Sequence, residues 1–226
     1  MKNYYTTLSE EILSVAKSGK DTVTLQRQLF YIRQAKLEQS LNTDELKKTF
    51  WINIYNAFYL ITLKETKLGK EIFNLKRIKI ARAVFSLNDI EHGILRKYKF
   101  RIGYGYITNP FYSSFIKTLA VNKVDYRIHF ALRSLELEKK TIDCFDCEEI
   151  EKQLTEVTTD FIRLETEFNH ESKIIRVSAF LLSYLRDFGG KKTVKNLLET
   201  IFERDLKEYK LRFKTYKRTE KLLQFS

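Results

Sequence analysis

Arg127 and His129 stand two residues apart in Asp125-Tyr126-Arg127-Ile128-His129-Phe130-Ala131-Leu132. Together they suit a site that binds an anion and moves a proton. Histidine titrates near neutral pH, and arginine is a permanent cation with a fork of directed donors. The segment alternates, with Arg127, His129 and Ala131 on one side and Ile128, Phe130 and Leu132 on the other, which predicts a short strand. Asn53 and Asn56 are three apart in Phe50-Trp51-Ile52-Asn53-Ile54-Tyr55-Asn56-Ala57-Phe58 and share one face of a helix. Carboxamides in so apolar a helix need partners. They either tie the helix to neighbouring backbone or orient a catalytic group or ligand.

A third cluster lies in Asp89-Ile90-Glu91-His92-Gly93-Ile94-Leu95-Arg96. Asp89, His92 and Arg96 fall on one helical face, as a proton-handling or anion-binding cluster or as a surface ladder of ion pairs. Glu91 lies off that face and is expected to point toward a cleft. Cys144-Phe145-Asp146-Cys147 is a lone CxxC. A zinc site would need two more ligands, and the surrounding acids oppose a reactive thiol, so these cysteines read as structural. No phosphate loop, HExxH, GxSxG or EF-hand pattern is present. The sequence names no cofactor and no metal site.

The elements that must position these residues follow from periodicity. The 226 residues suit one domain with a helical extension: residues 1–45 as an N-terminal helical segment packed on the core, and 46–226 as the domain proper. One proline and seven glycines favour helices over a sandwich of tight turns. Helices are expected over 4–17, 24–41, 45–63, 111–121, 146–168, 178–188 and 193–206, with a short one opening at Ser86. Extended segments are expected over 77–86, 125–132 and 171–177, with a further strand near 211–216. The helix over 45–63 is apolar nearly all round and should be central to the core. The fold class is α+β, a mostly helical single domain with a small β-sheet.

Net charge is +12, and it is uneven. From Asp143 to Glu171 there are ten acids and two bases, whereas Lys191 to Lys221 holds eleven bases and five acids. Such asymmetry suits a solubilising surface, or one for nucleic acid or anionic lipid, although no nucleic-acid module signature is present. No apolar run is long enough to span a membrane, and the N-terminus has no secretory core. A soluble, cytoplasmic protein is expected.

Taken together, the motifs resemble the domain of unknown function 547 family. Its first signature is similar to Phe50 through Ala57, and its second is similar to Ser86 through Arg96. Its Asp-Pro-Arg-Ile-His-Phe-Ala-Leu element resembles Asp125 to Leu132, with Tyr126 in place of proline, and its later helix resembles Val177 through Gly189. The resemblance spans roughly residues 48–213. It implies a shared pocket formed by Asn53, Asn56, Glu91, Arg96, Arg127 and His129. The family shows a cysteine-containing loop after the histidine, and Ser134 falls about where the first cysteine belongs. A hydroxyl does not simply replace a thiolate, because its pKa is far higher. The closing motif of the family is also missing near Tyr216.

The resulting expectation is a divergent or non-catalytic member that acts by binding a small molecule or protein. The alternative is an enzyme with His129 as acid/base, Asn53 and Glu91 as orienting groups, and Asn56, Arg96, Arg127 and Ser134 as binding residues. A second alternative is a basic-surface binder of nucleic acid or anionic lipid.

Overall fold

The computed structural model describes residues 2–65, 70–133 and 144–215. Helix α1 (Tyr4–Lys17) begins where the Asn3 side chain accepts bonds from the Tyr5 and Thr6 amides and the Thr6 hydroxyl accepts from the Asn3 amide. Its apolar stripe, Leu8, Ile12 and Leu13, packs on α4 (Asp44–Glu65). Every residue of α4 from Lys47 to Phe58 is buried, so this helix is surrounded by the fold rather than lying on it.

The helix expected over 24–41 is two: α2 (Val23–Tyr31) and α3 (Gln34–Ser40), with Ile32 and Arg33 extended between them. The break has a local cause. Strands β1 (Ile78–Ile80) and β2 (Ala83–Phe85) form an antiparallel hairpin turning on Ala81 and Arg82, both at positive φ. The Ala81 and Arg82 amides donate to the Leu29 and Phe30 carbonyls, so the end of α2 is closed by the turn rather than by further helix.

The chain then forms a π-helix (Asp89–Leu95) and α5 (Ser114–Leu119), capped by Ser113. The expected strand over 125–132 is instead a turn followed by helix α6 (Ile128–Arg133). The Asp125 side chain accepts from the Arg127 amide and starts that turn. Ile128, Ala131 and Leu132 then bury in one core cluster, which is helical spacing, while Phe130 enters a second. A run this short satisfies both periods, and tertiary packing chose the helix.

The second cluster is built by α6, α7 (Ile150–Glu165), α8 (Phe180–Ser183), α9 (Lys191–Phe202) and a three-stranded sheet. In that sheet β4 (Ile174–Val177) lies between antiparallel β3 (Glu167–Asn169) and parallel β5 (Lys210–Phe213). The fold is α+β, predominantly helical, with two small sheets among the described residues. Among the described residues no helix is long and apolar enough to cross a membrane.

Candidate functional site

Asp89 opens the π-helix through a reciprocal cap. Its carboxylate accepts from the Ser86 amide at 2.7 Å, and the Ser86 hydroxyl accepts from the Asp89 amide at 3.1 Å. The helix then winds wide, with the Arg96 amide reaching the Glu91 carbonyl and the Tyr98 amide reaching the Gly93 carbonyl. The wider turn separates residues that α winding would have aligned. Asp89 faces out to Lys76, while His92 and Arg96 turn inward. Glu91, expected at a cleft, is also buried and accepts from the Tyr184 hydroxyl at 2.8 Å. Gly93 permits close packing, because a Cβ there would lie 2.9 Å from Ile116 Cγ2.

His129 on α6 faces the same cluster. Its Nε2 is 3.0 Å from Asp187 Oδ2, and Arg96 Nε donates to that same oxygen at 2.6 Å. Arg96 Nη1 donates to His92 Nδ1 at 2.9 Å. The Tyr184 ring stacks on His129 at 3.9 Å, and the Arg96 guanidinium lies 4.7 Å from the same ring. Six residues from the π-helix and its C-terminal cap, α6 and the segment after α8 thus form one buried polar network. The loop over 100–109 closes it. Gly105 sits so near that a Cβ would meet Asp187 Oδ1 at 2.6 Å and Arg96 Nη2 at 3.0 Å, and its φ of +83° favours glycine independently.

Burial fixes the protonation of this network. It lowers the pKa of His92 to about 4, helped by the nearby charge of Arg96 and opposed by Glu91. The ring is neutral, and Nδ1 is bare because arginine can only donate to it. Burial lowers the His129 pKa as well, although Asp187 opposes it. Burial alone would raise the Asp187 carboxyl, but the bond from His129 and the charge and bond of Arg96 hold it below its ordinary value. His129 therefore donates from Nε2 to a carboxylate and keeps a bare Nδ1. That nitrogen is buried and has no partner among the described residues.

The two asparagines do not converge on this histidine. Asn53 Oδ1 accepts from the Phe145 amide at 2.9 Å, and its Nδ2 donates to the Phe145 carbonyl at 2.8 Å. Asn53→Ala would strand both backbone groups in the core, and a loss of about 2 kcal/mol in chemical denaturation is expected. Asn56 Nδ2 donates to the Ala131 carbonyl at 3.2 Å and fastens α4 to α6.

Arg127 belongs to a separate cluster. It donates from Nε and Nη2 to Asp125 and from Nη1 to Thr155, and it pairs with Glu151. Lys48 Nζ reaches Asp125 at 3.1 Å and Glu151 at 2.6 Å. Burial would raise the Asp125 carboxyl, but the bonds and charges of Arg127 and Lys48 lower it to about 2. This cluster edges a groove of about 700 Å³, also lined by Lys123, Tyr126, Thr159 and Arg163. Cys144 and Cys147 are both free, with thiol pKa values raised by burial. Ser134 and Tyr216 lie outside the described residues.

The structure thus brings Glu91, Arg96 and His129 together. It adds His92, from the cluster read with Asp89, and leaves Asn53, Asn56 and Arg127 elsewhere. Sequence reasoning missed Tyr184 and Asp187. Their signal was the likeness of Val177 through Gly189 to the family's later helix, a segment that holds a Tyr and an Asp three residues apart ahead of the Gly189-Gly190 stop.

Residues 39–162 match the model of the family described as protein of unknown function, DUF547. The match contains Asn53, Asn56, Glu91, His92, Arg96, Arg127 and His129, and it ends before Tyr184 and Asp187. It is shorter at the C-terminal side than the span of roughly 48–213 over which the motifs resemble the family. No curated protein and no solved structure matches the chain. With more than half of its length matched, and with the matched half supplying the histidines and arginine of the buried network, the chain belongs to this family of unknown function.

Proposed function

We propose that this chain is a binding member of its family, in which the histidine–carboxylate pair has become an internal tie. One observation carries the reading: Arg96, His129 and the Asp187 side chain are 0, 1 and 2% exposed. The groove beside Arg127 is open instead, and its volume of about 700 Å³ suits a small ligand. Lys123 and Arg163 line it together with Glu45 and Glu203, a mixture that favours a polar or zwitterionic molecule. Residues 1–45 act in this reading as a helical segment that closes the core of the domain at 46–226. Backbone amide spectra recorded with a panel of free amino acids should shift at residues 123–127 and 155–159, and His129→Gln should leave those shifts in place. Loss of the shifts in a folded His129→Gln variant would overturn the reading.

A second reading is favoured by the bare Nδ1 of His129. A histidine fixed through one nitrogen by a carboxylate, with the other nitrogen free, is the arrangement that activates a nucleophile. In that case Asp187 is the orienting group. Asn53 is engaged by Phe145, and Glu91 acts through Tyr184. Release of nitrophenol from activated esters, abolished by His129→Gln, is the expected signature. Hydrolysis equal in the two proteins sinks this reading.

A further inference from the structure

The loop between the π-helix and α5 holds an unusual density of exposed apolar side chains. Ile102 and Phe111 are 71% and 87% exposed, and Tyr104, Tyr106 and Ile107 are exposed beside them. The surrounding sequence is one-signed. The 33 residues from His92 to Val124 contain no aspartate or glutamate, and they hold Lys97, Lys99, Arg101, Lys117 and Lys123 besides the buried Arg96. Lys97 donates to the Asn122 carbonyl, Lys99 to the Thr108 hydroxyl and Lys117 to the Pro110 carbonyl. None of these oxygens carries a charge, so the positive potential of the three lysines is not cancelled by them.

The loop is firmly mounted. Gly103, Tyr104 and Gly105 all have positive φ and reverse the chain, and the Tyr106 amide closes the turn on the Gly103 carbonyl. The Phe100 amide donates to the Ile107 carbonyl and the Asn109 amide to the Tyr98 carbonyl, so the two arms are paired. The Arg186 amide donates to the Tyr104 carbonyl, and Gly105 rests on Asp187 and Arg96. The backbone faces the buried network while the apolar side chains are held outward.

We propose that this loop is an interfacial anchor that seats the protein on an anionic lipid surface. Ile102, Ile107 and Phe111 enter the acyl boundary, Tyr104 and Tyr106 lie at headgroup depth, and the lysines face anionic headgroups. Ile102 and Ile107 weigh toward lipid, since an aliphatic side chain offers no ring on which a base can stack, whereas Tyr104, Tyr106 and Phe111 would serve either partner. The anchor side chains Ile102, Ile107 and Phe111 do not line the groove beside Arg127, to which Lys123 belongs.

Co-sedimentation with vesicles of phosphatidylcholine, with and without phosphatidylserine, tests this. Binding is expected only with phosphatidylserine and should weaken as salt rises. The double substitution Ile102→Ser and Phe111→Ser alters two exposed side chains, so the melting temperature should hold while vesicle partitioning falls at least about tenfold. No binding to phosphatidylserine vesicles at low salt would overturn the proposal. So would equal binding by the double variant, because net charge would then suffice. Binding to single-stranded RNA but not to vesicles, lost in the same variant, would overturn it in favour of nucleic acid.

Discussion

Asp187→Ala should destabilise the protein by about 3–5 kcal/mol, because it strips the counter-charge from a cation buried in the core. Arg96 is fully buried and gives Nε to this carboxylate, and His129 gives Nε2 to the same oxygen. Without it, a guanidinium whose Nη2 already has no partner among the described residues loses its strongest partner. Asp187→Asn keeps the shape and one acceptor oxygen but not the charge, and should fall between wild type and alanine. Urea denaturation gives both values as shifts in midpoint at constant slope. If Asp187→Ala costs less than about 1 kcal/mol, the network is not the tie described above. The substitution should also release the loop over 100–109, since Gly105 packs directly on the lost carboxylate.

Mild acid should have a comparable effect on the intact protein. An unfolded histidine titrates near 6.5, and the folded His92 ring near 4. Below pH 6.5 the unfolded chain takes up the proton before the folded one does. Stability is therefore fully present above that value and is lost as pH falls toward 4, by about 3 kcal/mol for His92 alone. His129 shifts in the same direction and steepens the loss. The groups that act on His92 are Glu91, which opposes the shift, and Arg96, His129 and Arg101, which reinforce it. Protonation also converts Nδ1 from the acceptor of the Arg96 bond into a donor facing a donor. Urea midpoints at pH 7.5 and pH 4.5 measure the effect. His92→Gln keeps an acceptor for Arg96 and should flatten most of the dependence; a wild-type midpoint that does not move would contradict this account.

What the sequence made legible, and what it hid, divides along sequence distance. Helix α1 was readable because its cap, its stripe and its end all lie within one segment. The burial of α4 was readable because it has no polar face. His129, Arg96 and Glu91 were recognisable as residue types in family-like motifs, and they do share a site. Their partners were not legible. Asp187 lies 58 residues from His129 and 91 from Arg96, and nothing local marks a carboxylate as the one that returns to a buried arginine. The alternation around Arg127 misled for the opposite reason. It is a true local pattern, but six residues fit a strand and a helix equally, and the shared demand of two core clusters decided between them. The break after Tyr31 is hidden in the same way, because the groups that end that helix come from a hairpin about fifty residues later.

The π-helix at Asp89–Leu95 has a consequence for the length of this chain. An α-helix drawn between the same endpoints would use fewer residues, so the segment stores extra backbone without extra reach. Removing one residue there would let α winding resume over nearly the same reach, so the two ends would keep their places while the residues between them changed face. The extra residue between Asp89 and Arg96 therefore sets which side chains face the buried network, and not where the two ends of the segment lie.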